Sequence, residues 1–257
     1  MPTLKKSKNL QPHLLCRQGD IAPYVLLPGD PGRVTRFAEL LDGAKEISFN
    51  REYRVVTGKY KGVPVTICSS GMGGPAAAIG VEELIKLGAK VIIRIGSCGA
   101  SQAKIKVGDL IIPDSVIRAD HTCLDYVPEA YPAVADRKIV WLLEQAAKKL
   151  KARYYIGPTV SVDALYAPQT KVTKDFWQKF GALAQDMEAS TVITLGRLRG
   201  IKAGAVLLVV DQEGEKNVKA KIAEYSVQAK NKKGKLVQLE KQAAKVALEA
   251  IVNLNAK

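Results

Sequence analysis

Short apolar runs alternate along this chain with longer stretches in which apolar positions recur every three or four residues. Residues 24–27, 63–68 and 91–95 are mostly apolar and rich in branched side chains, the pattern of strands covered on both faces. Helical spacing follows the first two of these, over residues 32–41 and 75–87. Residues 107–117 and 153–162 read as further strands, with an amphipathic helix over 136–150 between them. A helix containing residues 187–198, a very apolar strand over 203–210 and a final helix over 236–254 complete the series.

This repeated alternation of strand and helix predicts an α/β fold, a three-layer α/β/α arrangement around a mixed, largely parallel central sheet. With 257 residues, 47% of them hydrophobic, the chain can bury one sizeable core. Neither an internal repeat nor a Pro/Gly/Ser-rich linker divides it, so residues 1–257 read as a single domain. The stretch 120–132 has prolines, aromatics and no period, and leaves two readings open: a functional lid or interface element, and a plain surface excursion.

Lys and Arg outnumber Asp and Glu 39 to 25, a formal charge of +14. A basic balance admits nucleic acid, an anionic metabolite or solubility alone as its reason. The lysines are scattered and thicken only at Lys230-Asn231-Lys232-Lys233-Gly234-Lys235, with no interleaved aromatics to stack on bases, so nucleic acid is not the expected partner. No apolar run approaches the roughly eighteen residues of a membrane span, and no signal-peptide pattern opens the chain. A soluble, cytoplasmic protein without membrane contact is expected. Cys16, Cys68, Cys98 and Cys123 lack CxxC spacing, and only His13 and His121 could join them, so neither a metal site nor a disulfide framework is expected.

Two glycine-punctuated segments carry arginines: Pro28-Gly29-Asp30-Pro31-Gly32-Arg33 and Arg94-Ile95-Gly96-Ser97-Cys98-Gly99. Both read as turns near the carboxyl ends of buried strands, where open α/β sheets bind ligands. Glycine there lets backbone N–H groups approach an anion, and guanidinium clamps it in bidentate fashion. Ser70-Gly71-Met72-Gly73-Gly74-Pro75 opens a helix, whose amino terminus favours an anion, although tight turns account for most such glycines. It is neither a Walker loop nor a dinucleotide fingerprint. Glu188 begins a helix, either as a capping carboxylate or as a bidentate acceptor for the 2′ and 3′ hydroxyls of a ribose. Asp211 ends the most apolar strand, either as an ordinary turn cap or as a proton donor whose pKa partial burial would raise. The chain has no Gly-x-Ser-x-Gly elbow and no His-Glu-x-x-His, so catalysis would rest on orientation and electrostatics.

Taken in order, several motifs resemble those of the hexameric nucleoside phosphorylases, the uridine phosphorylases and bacterial-type purine nucleoside phosphorylases. They are Pro12-His13, Pro28-Gly29-Asp30-Pro31 with Arg33, Asn50-Arg51, Gly71-Met72-Gly73-Gly74-Pro75, Arg94-Ile95-Gly96-Ser97-Cys98-Gly99-Ala100, Pro132-Ala133-Val134-Ala135-Asp136 and Met187-Glu188-Ala189. The resemblance spans about residues 11–211, and the joint order of the motifs makes it specific. It implies reversible phosphorolysis, in which nucleoside and phosphate give free base and ribose 1-phosphate, with phosphate as co-substrate and no cofactor. It also implies phosphate binding by Gly29, Arg33, Arg94 and Ser97, with Arg51 reaching in from a neighbouring subunit. Met72, Met187 and Glu188 would hold the sugar, and His13 of the neighbour would meet its 5′ hydroxyl. The implied assembly is a homo-oligomer, a hexamer built as a trimer of dimers.

The chemistry of the bond agrees with this reading. Glycosidic C–N cleavage builds positive charge on the sugar and negative charge on the base, so a phosphate dianion beneath the sugar both stabilises the centre and attacks it. Three guanidiniums would keep that dianion oriented. Arg94 and Asp211 are the expected catalytic groups, one at the phosphate and one at the base.

For the base, the resemblance points to residues 163–171. Gln169 would pair with the O2 and N3–H edge of uracil, since an amide offers both donor and acceptor. Lys171 stands where the pyrimidine branch has an arginine and Leu165 where it has an aromatic, while Asp211 occupies the place of the purine branch's proton-donating aspartate. Residues 125–136 are closer to the uridine enzymes. Uridine is therefore the expected substrate, with purine nucleosides or 5′-methylthioadenosine, using Asp211, as the alternative. A nucleic-acid-binding protein and a non-catalytic nucleoside-binding module are the remaining readings. Lys216, Lys219 and Lys221 follow Asp211 without an assignable role, and Asp186 replaces the family's usual glutamate. Some relatives hold potassium through a glutamate and a serine; Glu52 is present here, but Ala76 takes the serine's place and no such ion is expected.

Overall fold

The computed structural model describes residues 9–212, 218–231 and 234–256. Along the chain run β1 (Tyr24–Pro28), α1 (Pro31–Ala38), β2 (Asp42–Asn50), β3 (Tyr53–Tyr60), β4 (Val63–Cys68), α2 (Gly74–Lys86), β5 (Val91–Ala100) and β6 (Leu110–Ala119). Then come β7 (Ala133–Val134), α3 (Arg137–Lys149), β8 (Tyr154–Val162), α4 (Pro168–Gln178), β9 (Ala184–Asp186), α5 (Ala189–Leu198), β10 (Lys202–Asp211), α6 (Val218–Lys230) and α7 (Lys235–Asn255).

The ten-stranded sheet is mixed, as expected. Strands β4, β1, β5 and β10 lie side by side and parallel, the arrangement that buries both faces of their apolar runs. From β10 the order continues antiparallel to β6, parallel to β8 and β9, and back antiparallel to β5, so these strands close into a ring. The antiparallel β3 and β2 extend the sheet beyond β4 as an open wing. Helices α1, α3 and α7 cover one face through Phe37, Ile139, Leu142 and Leu248, and α2 and α5 cover the other through Val81, Leu84, Val192 and Leu195. The three-layer expectation is met.

The first glycine segment is a turn as expected: Asp30 caps α1, accepting the N–H of Gly32 at 2.8 Å and of Arg33 at 3.1 Å, with Pro31 opening the helix. The second is not. Residues 94–99 are continuous strand, because β10 pairs with β5 as far as Gly99 and β9 pairs at Gly99 and Ala100. The glycines there serve close approach instead. A Cβ on Gly96 would lie 2.6 Å from an Arg94 guanidinium nitrogen, and one on Gly99 would lie 2.8 Å from both carboxylate oxygens of Asp211.

The strand expected from residue 107 begins at Leu110, after a turn that Gly108 (φ +97°) enters and the Asp109 carboxylate closes on the Lys106 N–H at 2.8 Å. The β2–β3 hairpin and helices α4 and α6 lie outside the elements expected from periodicity. Strand β2 is mostly exposed and slips register against β3 at two places, which erases the alternation a strand would otherwise show. In the stretch 120–132, Thr122 and Cys123 are buried, with the Cys123 thiol 3.7 Å from the Thr194 hydroxyl of α5. Among the described residues no helix is long and apolar enough to cross a membrane.

Candidate active site

The carboxyl ends of β1, β5 and β10 open onto a cleft of about 680 Å³. Gly29 lines it from the β1–α1 turn, Arg33 from the first turn of α1, Met72 from the β4–α2 turn, and Arg94 and Ser97 from β5. Leu165 joins them after β8, Met187 and Glu188 between β9 and α5, and Asp211 at the end of β10. Residues distant in sequence thus meet at the switch region of the sheet, where such folds bind ligands. The stretch 120–132 contributes nothing to the lining.

Arg94 is buried on β5 between two carboxylates. Its Nε donates to Asp186 Oδ2 at 3.0 Å and its Nη2 donates to Glu188 Oε2. Asp186 also accepts the N–H of Ala189 at 2.9 Å and the Ser161 hydroxyl at 2.5 Å, so it caps α5. Glu188 occupies the N-cap position of that helix but makes no capping bond with its side chain, which settles the first of its two readings against it. Instead its Oε1 accepts the Gly73 N–H at 2.6 Å, so the anion at the amino terminus of α2 is an internal carboxylate. Burial pushes the Glu188 carboxyl above its ordinary pKa, against the pull of Arg94 and the Gly73 N–H. A carboxylate held by these donors keeps lone pairs for a ligand hydroxyl.

Arg33 is also buried. Its Nε donates to Glu240 of α7 at 2.5 Å and its Nη2 to the Tyr225 hydroxyl of α6 at 2.8 Å. Burial works against the Arg33 charge, and the contacts with Tyr225 and Glu240 more than restore it. Neither Tyr225 nor Glu240 stands out in the sequence, since a glutamate within a helical pattern ordinarily faces solvent. Gln185, likewise unforeseen, lines the cleft from β9 and pairs with Gly99, so Gln185 and Asp211 flank that glycine.

His13 and Arg51 do not line this cleft. His13 places Nδ1 2.7 Å from Glu83 of α2, and its backbone N–H also points at that carboxylate. Arg51 is exposed at the β2–β3 turn with φ +52°. The Asn50 side-chain amide donates to the His13 carbonyl at 2.8 Å, which fastens the two regions to one surface. Lys171 is exposed on α4 and outside the lining. The side chain of Gln169 lies outside the described residues, as do Lys216, Lys232 and Lys233 and the side chains of Lys219, Lys221 and Lys230. Among the described residues no cluster of three or more His, Cys, Asp or Glu side chains could hold a metal ion.

Residues 23–252 match the family model of the phosphorylase superfamily. The uridine phosphorylase of Thermococcus kodakarensis is 41% identical, over 95% of this chain and 86% of its own length. The guanosine phosphorylase of Halorubrum lacusprofundi is 42% identical, over 77% of this chain and 82% of its own. Among solved structures, the uridine phosphorylase of Vibrio fischeri ES114 superposes with a TM-score of 0.87 at 35% identity, covering 98% of this chain and 100% of that one.

Proposed function

This chain belongs to the phosphorylase superfamily, and we propose that it splits uridine with inorganic phosphate, giving uracil and ribose 1-phosphate reversibly. It is a nucleoside phosphorylase, hence a pentosyltransferase. The observation that carries the reading is Arg94, pinned by Asp186 and Glu188 in the same cleft as Arg33.

In the proposed reaction phosphate lies between Arg33 and Arg94, against Gly29 and Ser97. The ribose hydroxyls donate to Glu188, and Met72 and Met187 wall the sugar. As the C1′–N1 bond breaks, its electron pair leaves with uracil, a phosphate oxygen closes on C1′ from the opposite face, and the proton of the hydrogenphosphate dianion ends on uracil. The dianion offsets the positive charge growing on the sugar, and the fixed guanidiniums need no reorganisation to hold it. No step calls on a cofactor or metal.

Leu165 and Asp211 border the part of the cleft assigned to the base, with Gln169 and Lys171 as its further candidate contacts. The purine or 5′-methylthioadenosine alternative draws on Asp211 and on the likeness to a guanosine phosphorylase, and is not favoured, because the relative matched over 95% of this chain, against 77% for that one, is named a uridine phosphorylase.

Within one chain Arg33 and Arg94 already face carboxylates, so a phosphate dianion gains from a further cation. Arg51 of a neighbouring subunit supplies it in this proposal, and His13 of the same neighbour meets the sugar. The assembly so proposed is a hexamer arranged as a trimer of dimers, cytoplasmic and without a nucleic-acid partner.

The test is direct. Purified protein is incubated with uridine, with and without phosphate, and uracil and ribose 1-phosphate are quantified. Equal amounts of both, formed only with phosphate, support the reading. Uracil released equally well without phosphate would make the protein a hydrolase, and cleavage of inosine or 5′-methylthioadenosine in place of uridine would restore the purine alternative.

A further inference from the structure

Glu240 lies on the C-terminal helix α7, 2% exposed, yet it is the group that faces the Nε edge of Arg33 from 207 residues away in sequence. The same carboxylate accepts from Arg36 Nε at 3.1 Å and Arg36 Nη2 at 3.3 Å, and the Tyr225 hydroxyl donates to it. Asp30, half-exposed at the cap of α1, takes Arg36 Nη2 at 3.2 Å. Arg33 therefore has its Nε edge committed to α7, while among the described residues its Nη2 donates to the hydroxyl of Tyr225, which itself lines the cleft, and its Nη1 reaches the Ile95 carbonyl at a long 3.5 Å.

We propose that Glu240 is a positioning residue of the phosphate subsite: it fixes the Arg33 guanidinium by its Nε edge so that the Nη face meets phosphate already oriented. This rests on the reading of Arg33 as a phosphate ligand. A guanidinium binds an oxyanion through two donors in one plane, so rotation about its long side chain is what a bound carboxylate on the Nε edge removes. The Tyr225 hydroxyl keeps Nη2 aimed at the cleft when phosphate is absent, and a phosphate oxygen then replaces a neutral acceptor by a charged one.

The same helix carries its own control. Glu249, also buried, binds Lys61, Lys149 at 2.9 Å and the Tyr60 hydroxyl at 2.8 Å, and it takes no part in lining the cleft. Glu249→Gln loosens α7 without touching Arg33; Glu240→Gln removes the charge that orients Arg33.

The experiment measures kcat, the KM for phosphate and the KM for uridine in both variants, together with the rise in melting temperature that phosphate alone produces. Glu240→Gln is expected to raise the phosphate KM about ten- to a hundredfold, the range of a lost charge-assisted hydrogen bond, with the uridine KM within about twofold. It is also expected to move the thermal shift by phosphate to correspondingly higher phosphate concentrations. Glu249→Gln is expected to lower the melting temperature and leave the phosphate KM in place. An unchanged phosphate KM in Glu240→Gln, a parallel rise of both KM values, or the same rise in Glu249→Gln overturns the proposal.

If Glu240→Gln does not fold, Glu240→Asp keeps the charge but withdraws it by one methylene. A raised phosphate KM at constant uridine KM then supports the role, and an unchanged one overturns it. If the native protein does not cleave uridine, the substrate reading falls, and the thermal shift alone decides: a shift that needs about ten- to a hundredfold more phosphate in the Glu240 variant supports the positioning role, and one at unchanged phosphate concentration overturns it.

Discussion

The Arg94 guanidinium donates through Nη2 to Glu188, the carboxylate that also receives the Gly73 N–H at the amino terminus of α2. The phosphate candidate and the ribose candidate are thus one connected unit rather than two neighbouring sites. With Nε on Asp186, the guanidinium has little freedom left, and this preorganisation is what electrostatic catalysis requires.

Glu188→Gln is expected to lower kcat/KM for uridine by about a hundred- to a thousandfold, the loss of a charged contact that strengthens in the transition state. Stability is expected to respond differently. Burial raises the Glu188 pKa, so its contribution to stability is present below the ordinary carboxylate range and declines as pH rises through the raised value. Gln does not titrate, so the melting temperature of Glu188→Gln should gain on that of the native protein as pH rises through the raised value. A large drop in melting temperature would show that the Arg94 pair is mainly structural.

Gly96→Ala places a methyl group 2.6 Å from an Arg94 nitrogen and 2.7 Å from Leu207, both inside van der Waals contact. The guanidinium must shift, and a misplacement of this order is expected to reduce kcat/KM about ten- to a hundredfold. Steady-state kinetics at saturating uridine, with phosphate varied, would register the change chiefly at phosphate.

Arg51→Ala and Arg94→Ala variants are each expected to be nearly inactive, yet their mixture after co-expression should recover activity. A cleft from the Arg51 variant retains Arg94, and a neighbour carrying the Arg94 substitution still supplies Arg51. Absence of recovery in verified mixed oligomers would place Arg51 outside the site.

Burial raises the Glu249 pKa, but hydrogen bonds from Lys61, Lys149 and Tyr60 outweigh it and bring the carboxyl down to about 2 from an ordinary 4.5. The folded value is depressed, so the stabilisation is complete above the ordinary value and is lost as pH falls from about 4.5 towards 2. Because both lysines are more than half exposed, solvent screening trims the contribution to roughly 1–2 kcal/mol. Chemical denaturation of native protein and Glu249→Gln is expected to show a gap at pH 7 that narrows through this window. A gap independent of pH would assign the effect to packing.

Local chemistry carried much of the design in readable form. The buried parallel strands and the amphipathic helix α3 follow from β-branched runs and helical periodicity, both set by neighbours a few residues apart. Arg33, Arg94 and Glu188 were legible as candidates from glycine and charge at strand ends and helix starts, and Met187 only because the order of motifs along the chain resembles a known family. Residues 94–99 misread as a turn because glycine spacing signals flexibility, whereas strand pairing with β9 and β10 imposes extension from outside the segment.

The sequence by itself determined the α/β alternation and the set of arginines and acids available to a nucleoside and phosphate. Tertiary structure alone decided how they are paired: Asp186 as the cap of α5 and partner of Arg94, Glu188 at the start of α2, and Glu240 behind Arg33. The physical reason is that periodicity and capping act over a few residues, while the burial and partner of a charge depend on which distant element the fold packs against it.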